Sequence, residues 1–195
     1  MTILDKIAER TKIRVEHYKE KISLDEMKSR AKSLPRGNFP FEVALKKSGL
    51  SFICECKKAS PSKGLIAKDF PYVEIAKAYE AAGADAISIL TEPEFFLGSD
   101  KFLSEISAQV SIPCLRKDFV VDEYMIWQAK TLGASAILLI CAILDDIQLK
   151  NFIRVMIRLS IPQAQVFCRA HALTFRRLKP RRHRAHEFFA RRRQI

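Results

Sequence analysis

The chain has 195 residues, 48% of them hydrophobic, and carries 34 Lys+Arg against 22 Asp+Glu. That length can bury a core as one domain, or as one domain and a tail; no apolar run approaches a membrane span, and residues 1–7 lack the basic-then-apolar layout of a secretory signal. The five cysteines are odd in number, and Cys54, Cys56, Cys114 and Cys141 sit in apolar runs, which points to buried thiols and a cytoplasmic location instead of a disulfide framework.

Residues 3–34 place Ile3, Leu4, Ile7, Val15, Tyr18 and Ile22 among Lys, Glu and Arg, the pattern of one or two surface helices ending before Pro35-Arg36-Gly37. His17 falls on the polar face of that pattern. After Gly49 a strand, loop and helix repeat begins. Residues 50–56 form a first strand; Pro71 opens a helix over 72–82 that Gly83 stops. Residues 84–90 form a second strand, and Ser99 caps a helix running to Gln109. A third strand over 112–116 ends at Lys117-Asp118-Phe119, and Asp122 caps a helix that stops at Gly133. Residues 134–140 are apolar apart from Ser135, as in a strand buried on both faces, and Asp145 or Asp146 opens the next helix. Four such units imply a parallel sheet, either open and doubly wound or part of a closed barrel. Periodicity leaves both open.

The densest chemistry lies in residues 53–64, Ile-Cys-Glu-Cys-Lys-Lys-Ala-Ser-Pro-Ser-Lys-Gly. Glu55 and Lys57 are two apart and so share one face of a strand. The loop from Ser60 to Gly64 is built of small residues whose backbone can approach an anionic group. A carboxylate beside an ammonium at a strand end suits proton transfer on a bound anion, and a solvated strand end with an incidental ion pair fits the same residues. Functional side chains recur at later strand ends, in the Phe95-Phe96 loop and at Lys117. In a barrel those ends converge on one mouth. No G-x-G-x-x-G marks a dinucleotide-binding open sheet.

The order of motifs resembles the indole-3-glycerol-phosphate synthase family. It runs through Ile3-Leu4-Asp5-Lys6-Ile7, the Glu55 to Gly64 stretch, Ala86-Ile87-Ser88-Ile89-Leu90-Thr91-Glu92, Phe96-Leu97-Gly98-Ser99 and Leu115-Arg116-Lys117-Asp118-Phe119. The passage from Leu132-Gly133-Ala134 to Leu138-Leu139-Ile140 completes it. The resemblance implies an α/β fold of the (β/α)8 TIM-barrel family, here incomplete: extra N-terminal helices, about the first four β/α units, then a basic tail outside the family pattern. It further implies ring closure and decarboxylation of 1-(2-carboxyphenylamino)-1-deoxyribulose 5-phosphate, a small sugar phosphate, in tryptophan biosynthesis, with no cofactor and no metal. By position, Glu55, Lys57 and Lys117 match the family's catalytic residues. Ser60, Phe96, Phe119 and Leu138 match its substrate-binding ones. Without the resemblance, those aromatics read as ordinary core residues.

The two ends of the chain differ in composition. Residues 151–195 hold 11 arginines, one lysine and a single acid, Glu187, and all six glycines precede residue 134. The family's general-base glutamate on strand five, its later asparagine and Glu-Ser-Gly motifs and its glycine-rich phosphate loops find no match here. The expected division is therefore a half barrel over 1–157 and an arginine-rich tail over 158–195, read out of frame or disordered, leaving this chain truncated and inactive. The runs from Arg176 to Arg184 and Arg191 to Arg193 would bind polyanions non-specifically, without a recognisable nucleic-acid fold. A basic polyanion-binding protein on a half-barrel remnant is thus the alternative function, and no membrane partner is expected. Cys168, His171, His183 and His186 have zinc-like spacings, but the arginines around them would repel a dication.

Overall fold

A computed structural model describes residues 1–161 and the backbone of 163–166. The arginine runs beyond Val166, with Cys168, His171, His183 and His186, lie outside the described residues.

Helix α1 (Ile3–Lys21) begins at a capping box: the Thr2 hydroxyl accepts from the Asp5 N–H while the Asp5 carboxylate accepts from the Thr2 N–H. The periodic stretch then breaks at Ile22, and Ser23 caps a second helix, α2 (Leu24–Ser33). A short α3 (Pro40–Leu45) follows, with Pro in its first turn where no N–H is needed. Strand β1 (Ile53–Cys56) leads into a small antiparallel hairpin of β2 (Ala59–Ser60) and β3 (Gly64–Leu65).

The repeat continues with α4 (Tyr72–Ala81), β4 (Ala86–Leu90), α5 (Asp100–Ser107), β5 (Cys114–Lys117) and α6 (Glu123–Thr131). Then come β6 (Ala136–Leu139), a 3-10 turn at Cys141–Ile143, and α7 (Asp146–Leu159). Ser99, Asp122 and Asp145 cap their helices as the sequence predicts. Sequence patterning marks four strands of the main sheet; the structure adds a fifth, β7 (Gln163–Val166), parallel to β6. The expected boundary at 157/158 falls inside α7, which runs on to Leu159.

Strand order decides between the two architectures that periodicity left open. The main sheet runs β1-β4-β5-β6-β7, every pair parallel, each strand beside the next one in the chain. A doubly wound sheet reverses direction at a switch point, whereas a barrel winds one way throughout. The described strands form a one-way arc of five, an incomplete barrel of the expected kind.

Alternation along these strands sorts the core into two faces. Ile87, Ile89, Ile137 and Leu139 point outward and join Leu103, Met125 and Ile126 of the helices. On the inner face Ala86, Leu115, Ala136 and Leu138 form a smaller cluster that Phe41 of α3 caps, 2% exposed. Phe41 therefore closes the inner face at the sheet end away from the strand-end loops. Phe41→Ala should lower unfolding stability by about 3 kcal/mol, the usual cost of deleting a buried ring, as read from the urea midpoint of the full chain.

Candidate active site

At the C-terminal end of β1, alternation turns Glu55 inward and Cys56 outward into the helix-facing core. Cys56 and Cys114 have thiols pushed up to about 12 by burial. The same alternation on β5 sends Arg116 outward and Lys117 inward. The Glu55 carboxylate then meets both predicted lysines: Lys57 at 2.5 Å on one oxygen and Lys117 on the other. Because β4 stands between β1 and β5, Lys117 reaches across two strand spacings, each about 4.8 Å. Ser88, facing Glu55 across the β1–β4 pair, is small enough to leave that path clear.

Half-burial alone would push the Glu55 carboxyl up, but hydrogen bonds from Lys117 and Lys57, then their charges, hold it below the usual glutamate range. The group is an ionised carboxylate between two ammoniums. The trio is partly open to solvent, with about a third of each lysine side chain exposed.

Two loops flank the trio. Buried Glu92 accepts the backbone N–H groups of Glu94, Phe95 and Phe96, winding the loop after β4 around one carboxylate. Gly98 closes that loop against the strand end, where an added Cβ would fall 2.4 Å from the Leu90 carbonyl oxygen. The loop places Phe96 beside Phe119, ring centroids 6.0 Å apart, and the Phe96 carbonyl accepts from the Ala59 N–H. Predicted Ser60 lies buried in the β2–β3 hairpin, its hydroxyl accepting the Lys63 N–H. Leu138 sits on the inward face, but in the cluster that Phe41 caps.

A second network went unseen in the sequence. Asp118 is fully buried and accepts from Arg14 at 2.7 Å and from Thr91 at 2.6 Å. Arg116, also fully buried, donates to Thr91, to the Met125 carbonyl and to Asp100, and lies 3.6 Å from Asp118. The one available signal was the two-residue spacing of Arg116 and Asp118, which puts an arginine and a carboxylate on the same outward side of β5. Arg14 belongs to α1, whose Arg10 also pairs with Glu94 and whose Lys19 pairs with Asp122. Helix α1 is thereby fastened along the loops that end β4 and β5. Exposed His17 on α1 takes no part in these pairs. Among the described residues no group of His, Cys, Asp or Glu is arranged to hold a metal ion, and no helix is long and apolar enough to cross a membrane.

A one-way parallel β/α arc that gathers a Lys–Glu–Lys trio and paired phenyl rings at its strand ends places the fold in the TIM-barrel class. The model of the indole-3-glycerol phosphate synthase family matches residues 4–161, so the chain belongs to that family. It is 58% identical over 154 residues to the indole-3-glycerol phosphate synthase of Ruminiclostridium cellulolyticum, covering 78% of this chain and 59% of that protein. The Endomicrobium trichonymphae protein of that name is 55% identical over 152 residues, covering 77% of this chain and 59% of the relative. The one from Lacticaseibacillus casei is 54% identical over 151 residues, covering 77% and 58%. The chain thus spans about three-fifths of the length of these relatives.

The cluster generates two expectations. With Lys57→Ala and Lys117→Ala combined, only burial acts on Glu55, so its titration should move from below to above the ordinary glutamate value in carbon-detected NMR. For Asp118, burial pushes the carboxyl up, but Arg14, Arg116 and the Thr91 hydrogen bond outweigh it and hold it low. A depressed folded value means its stabilisation is complete above about pH 4, the unfolded value. It is lost as the pH falls through the lower folded value. Asp118→Asn should flatten that acid limb of the urea-stability profile and cost about 3 kcal/mol near neutral pH, since Arg14 loses a buried counter-charge.

Proposed function

We propose that the inward ends of β1, β4 and β5 carry the proton-transfer half of an indole-3-glycerol phosphate synthase active site. The substrate would be 1-(2-carboxyphenylamino)-1-deoxyribulose 5-phosphate. The observation that carries this reading is the convergence of Lys57 and Lys117, from non-adjacent parts of the chain, on one ionised Glu55.

The chemistry asks for such a trio. The ring carbon bearing the carboxylate attacks the ribulose ketone, forming a carbon–carbon bond while electron density moves onto the ketone oxygen. Lys117 is assigned to donate a proton there, converting the oxygen to a hydroxyl. The carbon–carboxylate bond then breaks to release carbon dioxide, and its electron pair restores the ring. The new hydroxyl then leaves as water while the neighbouring methylene carbon loses a proton, and the carbon–carbon double bond so formed completes indole-3-glycerol phosphate. Lys57 is suited to pair with the substrate carboxylate or to protonate the departing hydroxyl. Glu55 is suited to orient Lys57 and to accept a proton. The steps balance without an external oxidant or cofactor. Phe96 and Phe119 would wall an apolar slot for the aromatic ring, where a drier medium strengthens the ionic contacts, and Leu138, deeper on the inward face, is assigned to substrate binding only through the family's matching position. Ser60, in the adjoining hairpin, is assigned to substrate binding through the family's matching position.

The free cysteines among the described residues and the small anionic substrate fit a cytoplasmic location. The arginine-rich stretch beyond the described residues is assigned only non-specific polyanion binding, which would weaken steeply with salt.

The test compares this chain alone with the chain joined to the C-terminal two-fifths of the Ruminiclostridium cellulolyticum relative. Turnover to indole-3-glycerol phosphate should appear in the joined protein and be low or absent in the chain alone. In the joined protein Lys117→Ala should lower kcat by at least about 100-fold, as expected for removing a general acid. A joined protein that keeps full kcat without Lys117 would reassign the proton donor.

A further inference from the structure

The outer flank of the fold holds a second concavity, remote from the inward trio. Helices α2, α6 and α7 and the Leu34–Arg36 segment enclose a groove of 660 Å³. Five cations line it, brought from four separate stretches of chain: Lys28 and Lys32 from α2, Arg36, Lys130 from α6 and Arg158 from α7. Only one acid lines it, Glu123, and Lys28 is already bonded to it at 2.7 Å. Among the described residues the other four cations have no acidic partner.

Trp127 forms the groove's aromatic wall, 6% exposed, with the Lys28 and Lys32 ammoniums 5.9 and 5.8 Å from its ring. Those contacts hold two of the cations in place over the ring. Lys130 is held below the usual lysine range by burial alone, with no carboxylate to offset the loss of water. The groove is partly open to solvent, and Lys130 within it is half-buried. A concavity lined by one sign of charge concentrates counter-ions within it, and its size falls in the range of small-molecule sites.

We propose that this groove binds a small phosphorylated molecule carrying at least two negative charges. The Arg36 and Arg158 guanidinium forks suit phosphoryl oxygens in paired hydrogen bonds, while Lys32 and Lys130 supply point charges. Such a ligand would bridge α2 to α6 and α7, so its binding would raise the melting temperature by mass action.

Trp127 is the only tryptophan in the chain, so its emission reports on this groove. The full chain is titrated with inorganic pyrophosphate at fixed ionic strength, with sodium chloride as the matched control. A saturable change in emission is expected, together with a higher melting temperature. Lys130→Met with Arg158→Gln should weaken the apparent affinity at least about tenfold, two charge-assisted contacts being lost. Because Lys130 is partly buried, Lys32→Gln with Arg36→Gln, at two exposed positions, repeats the test without touching the core. An unsaturable response, the same response to sodium chloride, or unchanged affinity in both double variants would overturn the site.

Discussion

Asp118 has lost all contact with water, and a carboxylate so placed persists only where cations and donors surround it. Arg14 reaches it from α1, Arg116 from β5 and Thr91 from the end of β4, so a single anion ties the N-terminal helix to two neighbouring strand ends. The tie lies one residue beyond Lys117. Fixing Asp118 on the outer side fixes the backbone from which Lys117 turns inward, because successive strand residues face opposite ways. The ionic network under the helices and the ionic trio facing the interior are therefore two sides of one strand.

The trio itself carries an imbalance that matters for chemistry. Two ammoniums share one carboxylate, which leaves a net positive charge at a site only partly open to water. A single carboxylate arriving there would balance that charge. The loop after β4 brings an aromatic wall to the same place by spending Glu92 on three backbone N–H groups, which frees the Phe96 side chain to stand by Phe119. Gly98 is required there because the loop returns so close to the Leu90 carbonyl that no side chain fits.

Much of this was legible in the sequence because it depends on local rules. Ser99, Asp122 and Asp145 announced their helices, and the two-residue spacing of Glu55 and Lys57 announced a shared face. The strand-end pattern put Glu55, Lys57 and Lys117 at one mouth if the sheet is a barrel, but nothing in the interval between residues 55 and 117 says that Lys117 reaches over β4 to the Glu55 carboxylate. The Arg14–Asp118 bond, 104 residues apart, had no local signature at all. Strand β7 escaped notice because Gln163-Ala164-Gln165-Val166 is short and half polar, and pairing with β6 decides its state more than its own composition does.

The two faces of the sheet contribute unequally to holding it together, and this separates stability from chemistry. Outward residues join a continuous core with α4, α5, α6 and α7, whereas among the described residues the inward face owns only the small cluster under Phe41. Inward-facing Ile53 is still 46% exposed, and Leu50 and Phe52 beside it are more so. In a closed barrel β1 has a neighbour on each side, and those apolar groups are what such a neighbour would cover. The outward core fixes the strand ends in space without calling on Glu55, Lys57 or Lys117. Charges can therefore be changed at the mouth while the scaffold that aims them stays intact.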